Sequence, residues 1–520
     1  MSDRNDGYVT DVEYIPGLYP FQMPAFLDFV CILNGIAPPS DAVEDGGFAW
    51  CELGCGQGLM VNLTAASNPG AAVHGVDFHP GHIAQARAGA AAAGLPNAVF
   101  HEVAFEDIAD ADGLPMFDYV TLHGVYSWVG AETKRAIVRF LERRLKPGGA
   151  VLVSYNTVPG WARLAPLQRL LRAHADAAEG RSDVRVRRAL DFARLLQEAG
   201  APALDGVDLA GLAHPLPGRS QAQHDAYLAH EYLDADWQPL LHADVARDLA
   251  AAGLGYAGSA IPFQNDKELV LTPAQRAALD GIGDPVLRES MADYCGQPML
   301  RKDVFVRAAR RLTPEETDAR LRAVPLAWMA RAHALPYTIE GMSRSIVLDE
   351  ARYGPVMAAL AAGMRTVGDL ADLPELRGRA DAPGPRELAL ALVGGDFALP
   401  AARIRWGDGA LAAARRFNRL QAAEAAEGRT LVAAMAAACG VGIAVDQAGA
   451  AVHLALADGV EPALHPVLSH VQRRLGSVRL GAGIDPAALQ AEAARLMEMG
   501  RGAEAALHIL LPLWRQLGAF

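Results

Sequence analysis

Short apolar runs alternate with Ala-rich or amphipathic stretches from residue 48 onward. Phe48-Ala49-Trp50-Cys51 is a strand-like run that ends on Glu52, and Leu59 to Thr64 resumes as a helix. Ala72–Val76 predicts a second strand ending at Asp77, Gly81–Ala93 a helix, Ala98–Glu102 a third strand and Phe117–Leu122 a fourth. Glu132–Leu145 reads as a helix, and the turn Lys146-Pro147-Gly148-Gly149 launches a fifth strand, Ala150–Tyr155. Strand and helix in strict alternation predict an α/β fold built on a parallel sheet.

The alternation stops at Arg163. From there to about Leu233 the chain is mostly helical, broken at His214-Pro215-Leu216-Pro217-Gly218. It then returns, with a helix over Val245–Ala252 and strands at Gly255–Ala260 and Glu268–Leu271. A sheet closed by those elements makes 163–237 a helical insertion at the carboxyl edge, where open sheets bind ligands. Such an insertion would serve as lid, substrate platform or dimer contact. Thr272-Pro273-Ala274-Gln275 and Thr313-Pro314-Glu315-Glu316 are both capped helix starts. The first ends the sheet domain, so the expected division is 1–162 with 238–272, the insertion 163–237, a mainly helical middle domain 273–380 and, past the linker Asp381-Ala382-Pro383-Gly384-Pro385, a helical C-terminal domain 386–520. A strand at Ser345–Leu348 is the one exception expected in the middle domain.

Composition narrows the class. A chain of 520 residues exceeds one core. The formal charge of −13 argues against a phosphate-backbone binder, so no nucleic-acid partner is expected. Five cysteines, odd in number and without paired metal spacing, suit a reducing cytoplasm and predict no metal. The N-terminus lacks an apolar signal core, and the apolar stretch Leu431–Val445 is too short to span a bilayer, so no membrane insertion is expected.

The chemistry concentrates in Glu52-Leu53-Gly54-Cys55-Gly56-Gln57-Gly58. Glycines at every second position let a ligand lie on backbone N–H groups, and the spacing differs from the dinucleotide fingerprint Gly-x-Gly-x-x-Gly. Asp77 lies 21 residues beyond Gly56, where a carboxylate can accept both hydroxyls of a ribose; capping the next helix is its plainer role.

The Glu52–Gly58 loop, Asp77, Phe117-Asp118-Tyr119 and Leu145-Lys146-Pro147-Gly148-Gly149, in that order and spacing, resemble the class I S-adenosylmethionine-dependent methyltransferases. The resemblance implies a Rossmann-like sheet with S-adenosylmethionine as cofactor. Gly54, Gly56 and Gly58 would line its methionine part, Glu52 would hold its amino group through water, and Asp77 would bind its ribose. Cys55, Phe78, His123 and Tyr14 complete the implied cofactor contacts. Ala104 stands where the family often has an Asp for the adenine amino group, so Glu106, Asp107 or backbone would substitute.

Four further segments narrow the resemblance: Tyr8–Tyr14, His123–Val129, Ser154–Trp161 and His230–Leu233. They resemble bacterial methyltransferases with a methyltransferase regulatory domain, here about residues 220–305. That group is similar to the rickettsial protein-lysine methyltransferases, which implies a protein lysine as acceptor. A small molecule, with the extra domains serving dimerisation or regulation, and a non-catalytic cofactor-binding regulator are the rival readings.

A lysine amine must lose a proton before it attacks, against a reference pKa near 10.4, or about 4–5 kcal/mol at neutral pH. The candidates for positioning and proton transfer are His123, Tyr126 and Trp128 after the fourth strand, Asn156 after the fifth, and Glu231 on the insertion. Tyr155 and Trp161 share the fifth-strand edge, and His230 and Tyr232 flank Glu231. The plainer alternatives are that Trp128 and Trp161 pack the insertion onto the sheet, that His123 is structural, and that Glu231 is a buried contact between insertion and sheet.

Overall fold

A computed structural model of the chain describes residues 9–12, 17–43, 47–215, 220–329, 336–340, 345–402, 411–427, 432–437 and 442–463, with a few short stretches among the rest. Its centre is a seven-stranded sheet of β1 (Ala49–Leu53), β2 (Ala72–Asp77), β3 (Ala98–Glu102), β4 (Phe117–Leu122), β5 (Leu145–Asn156), β6 (Leu254–Ser259) and β7 (Leu300–Arg307). The spatial order is β3-β2-β1-β4-β5-β7-β6. β1 to β5 pair in parallel, and β7 runs antiparallel to both β5 and β6.

Alternate residues feed two cores. Trp50, Leu152 and Val304 point to the face covered by α1 (Pro24–Leu33), α2 (Leu59–Ser67) and α3 (Pro80–Ala93). Cys51, Val151 and Phe305 point to the other, covered by α4 (Ala131–Arg144). This period of two is what a sheet covered on both sides requires.

Two of the sequence motifs turn out to fasten the sheet at the end away from the ligand edge. Asp118, buried in β4, accepts from the Ala49 N–H at 2.8 Å and from the Lys146 ammonium at 2.9 Å. Gly148, at φ +80, continues into β5, so the Lys-Pro-Gly-Gly segment is the opening of that strand.

Helices follow β5 through the stretch 158–232. They are α5 (Val158–Trp161), α6 (Ala165–Asp176), α7 (Ser182–Glu198), α8 (Leu209–Ala213) and α9 (Gln221–Tyr232). These pack into a core of their own that also takes in Val9 and Val12. Then come α10 (His242–Ala250), α11 (Lys267–Val270), α12 (Pro273–Asp280) and α13 (Pro285–Gly296).

Two expectations are corrected. Residues 268–271 form no strand: the Asp266 side chain accepts from the Glu268 N–H and starts the single turn α11. The last strand of the sheet is β7, inside the stretch expected to be helical. The part after residue 385 is mainly helical among the described residues, with the antiparallel pair Val432–Ala436 and Gly442–Asp446 beside its helices, and it shares the α1–α3 core. Among the described residues no helix is long and apolar enough to cross a membrane.

Candidate active site

A cavity of about 570 Å³ opens at the carboxyl ends of β1, β2 and β4. Its floor is the loop from β1 to α2, where Gly54, Gly56 and Gly58 take φ values of +76, +51 and +76. Their surroundings differ. A Cβ on Gly54 would come within 2.6 Å of Val125 Cγ2, and one on Gly58 within 2.5 Å of Ala86 Cβ. A Cβ on Gly56 would meet nothing within 4 Å, so its open side faces the cavity. Gly54, Cys55 and Gly56 line the space; Gly58 instead packs under α2 as its cap.

Asp77, at the end of β2, holds the loop in place. One oxygen accepts from the Gly56 N–H at 2.9 Å and the other from the His79 N–H at 2.8 Å. The cap of α3 is His79, whose ring accepts from the His82 N–H, so Asp77 does not serve as that cap. The oxygen that accepts from His79 also has His82 Nδ1 at 3.6 Å, and a carboxylate oxygen has two acceptor positions, so the oxygen on Gly56 retains capacity for a further donor.

Glu52 and Gln22 are buried on the same wall. Glu52 is 6% exposed and its Oε2 has no partner. Burial pushes its carboxyl up to about 8; the adjacent Gln22 amide works against this and the Asp77 charge adds to it. Gln22, in the short turn Pro20–Gln22, is fully buried with both amide atoms unpartnered. At the far end of the cavity Phe78 is 41% exposed, near Val103, Ala104 and Phe105. Glu106 lines that end and accepts from the Thr133 hydroxyl.

The remaining walls come from the loop after β4 and from α9. His123 lies against Ser154, Nδ1 to Oγ 2.8 Å, and is edge-packed by Tyr19 with ring centroids 4.1 Å apart. Burial, with the Lys302 charge second, lowers its pKa to about 3, so it is a neutral imidazole. Trp128 and Val129 line the cavity beside it, and α9 contributes His230 and Glu231. Burial alone raises the Glu231 carboxyl to about 7.

Not every expected residue reaches the cavity. Tyr126 is fully buried, with its hydroxyl donating to Asp248 Oδ2 at 3.2 Å, on the far side of its loop. Asn156 is buried at the end of β5, its N–H donating to Ser127 Oγ and its C=O accepting from Leu240; its side chain is absent from the described lining. Trp161 packs between Tyr232 and Trp237 and donates to the Met299 carbonyl, joining insertion to sheet. Tyr8 and Tyr14 lie outside the described residues. Gln22, Tyr19, Phe105 and Asp236 line the cavity without having been foreseen. Gln22 lies in an aromatic stretch between Pro20 and Pro24, a spacing that carries no known ligand signature.

Comparison with known proteins bears on the chemistry. Residues 51–151 match the family described as "Methyltransferase domain", and residues 224–307 that described as "Predicted methyltransferase regulatory domain". An uncharacterized protein of Synechocystis is 33% identical over 366 residues, 70% of this chain and 71% of its own length. The chain belongs to the class I methyltransferases with a regulatory domain. An uncharacterized protein of Rickettsia prowazekii is 31% identical over 228 residues, 44% of this methyltransferase and 39% of that longer chain. The structure of PKMT2 from Rickettsia typhi in complex with AdoHcy superposes with a TM-score of 0.68 at 16% identity, covering 97% of this chain and 99% of that one, a likeness of fold.

The cofactor of this methyltransferase is S-adenosylmethionine. The residues present suit it. A buried carboxyl with an unpartnered oxygen matches its ammonium, the Asp77 carboxylate on the cavity wall matches ribose hydroxyls, and the bare face of Gly56 leaves room for close approach.

Proposed function

We propose that this methyltransferase methylates the side-chain amine of a protein lysine. The charge of the cavity carries the reading. Its described lining holds Asp77, Glu102, Glu106, Asp107 and Asp236, with Glu231 partly ionised and Glu52 becoming charged when it meets a cation, and no lysine or arginine. Such a field draws in a cationic acceptor and repels an anionic one. The resemblance to rickettsial protein-lysine methyltransferases supports the same choice.

Bound S-adenosylmethionine supplies an electrophilic sulfonium methyl, so the chain has to position the acceptor, strip its water and accept its proton. We assign the methionine end to Gly54, Cys55, Gly56 and Glu52, and the ribose to Asp77. Phe78, with Glu106 and the Val103–Phe105 backbone, would hold the adenine. Trp128 attracts the acceptor cation through its ring face and then sheathes the alkyl chain. Glu231 takes the ammonium proton: the N–H bond breaks, its pair stays on nitrogen, and the proton goes to the carboxylate. His123, neutral and tied to Ser154, serves as wall and cofactor neighbour. Tyr126 and Asn156 brace the two loops from behind.

Transfer of labelled methyl groups into a lysate, followed by mass spectrometry, tests the reading. Labelled methyl-lysine in protein is the expected product. Label confined to small metabolites would replace it with a small-molecule acceptor. Intact cofactor binding without transfer would mark a regulatory protein.

A further inference from the structure

We infer that Gln22 binds the α-carboxylate of the cofactor's methionine end, next to an α-ammonium held by Glu52. An α-amino acid terminus carries a cation and an anion a few ångströms apart, so its site needs an acceptor and a donor side by side. Glu52 and Gln22 are such a pair. Both are buried on one wall of the cavity, with the Gln22 amide near enough to hold the Glu52 pKa down, yet Glu52 Oε2 and both Gln22 amide atoms lack a partner at close hydrogen-bond distance. Buried primary amides almost always find partners, so a fully buried one on a cavity wall is free to take a ligand there.

The rest of the lining sharpens the choice. Carboxylates are most often met by guanidinium or ammonium groups, and the described lining has neither. A neutral N–H donor must serve, and the Gln22 amide is a buried side chain able to give one. Its backbone is fixed for the purpose. The Gln22 N–H donates to the Tyr19 carbonyl at 2.9 Å, and the Gln22 carbonyl accepts from the Trp50 indole at 3.3 Å. Trp50 lies in β1, two residues before Glu52, so one strand sets the position of both partners. The same amide has an oxygen to offer the ammonium, which lets it bridge the two charges.

Ligand truncation tests this. S-adenosylhomocysteine carries the amino acid end and 5′-methylthioadenosine lacks it. Calorimetric titration of the full chain should show Gln22→Ala weakening S-adenosylhomocysteine by about 10- to 100-fold, as loss of a hydrogen bond to a charged group does. Methylthioadenosine should be weakened by no more than about twofold, within the scatter of a site that loses no contact. Because Gln22→Ala leaves a void, Gln22→Met, which fills nearly the same space, is titrated in parallel and both are checked by thermal unfolding without ligand. Selective loss of S-adenosylhomocysteine in every variant that folds carries the proposal. Equal loss of both ligands, or undiminished S-adenosylhomocysteine binding in either folded variant, overturns it. A wild-type chain that binds neither ligand would remove the cofactor assignment itself.

Discussion

Glu52 has a buried carboxyl group with one oxygen unpartnered, and its chemistry follows from that placement. Its pKa near 8 means that the empty site holds mostly the neutral acid at pH 7. An ammonium favours the carboxylate, so binding the cofactor's amino group lowers that pKa and expels a proton. Affinity should therefore rise between about pH 6 and 7.5, by at most about tenfold per unit for one coupled proton. Titration calorimetry in buffers of different ionisation heat would count the released proton, and Glu52→Gln should bind weakly with no such dependence. Glu231 gives a second, separable profile. It acts as a base only when ionised, so with saturating cofactor the transfer rate should climb through about pH 7, set by the burial of its carboxyl. Glu231→Gln should lose about 100-fold or more in rate, as removal of a general base does, and keep its cofactor affinity. A rate unchanged in Glu231→Gln would assign the proton to another group.

At the scale of elements, the loop from β1 to α2 separates two uses of glycine. Gly56→Ala adds a Cβ that touches nothing in the protein, so its stability loss should stay near the 1–2 kcal/mol of a left-handed alanine, while the methyl enters the cavity and cofactor binding fails. Gly58→Ala bears the same backbone cost and also drives its Cβ to 2.5 Å from Ala86 Cβ and 2.8 Å from the Phe100 ring. Denaturant unfolding without ligand should find it clearly the less stable of the two. This loop, Asp77 and the first five strands were legible in the sequence because each is a local pattern: an apolar run stopped by an acidic residue, glycine or proline. β7 was not. Arg301, Lys302 and Asp303 break its apolar run, and the burial of Arg301 and Asp303 is made possible by partners distant in the chain. Arg301, 2% exposed, pairs with Glu289 and Asp293 of α13 and with Asp303, while Lys302 lies over the Phe21 ring. The direction of Tyr126 was equally hidden, since its partner Asp248 lies 122 residues away. Gln22 is placed by a turn against Trp50, a contact that no spacing in the chain announces.

The whole molecule divides the cavity between two cores. The floor and the Asp77 wall belong to the sheet, and α9, with His230 and Glu231, belongs to the insertion. The seam between them is closed at Trp161. Its indole donates to the Met299 carbonyl at 3.1 Å, beside β7, and its ring packs on Tyr232 and Trp237 at the end of the insertion. The N-terminal segment reinforces the same side, with Asp11 accepting from the Ser182 N–H at 2.8 Å and the Val12 carbonyl 3.0 Å from His230 Nε2. Loosening this seam should shift α9 against the sheet without disturbing the glycine loop. Trp161→Ala, which removes a large buried ring, should cost about 3–5 kcal/mol of stability in the insertion. It should also lower the transfer rate far more than the affinity for S-adenosylhomocysteine, because misplacing a proton acceptor by about 1 Å can cost 100-fold in rate. Trp161→Phe, which keeps most of the ring packing and loses the hydrogen bond, should fall between. Parallel losses of rate and cofactor affinity in both variants would show instead that the insertion is part of the cofactor site, and that sheet and insertion close on the cofactor as one body.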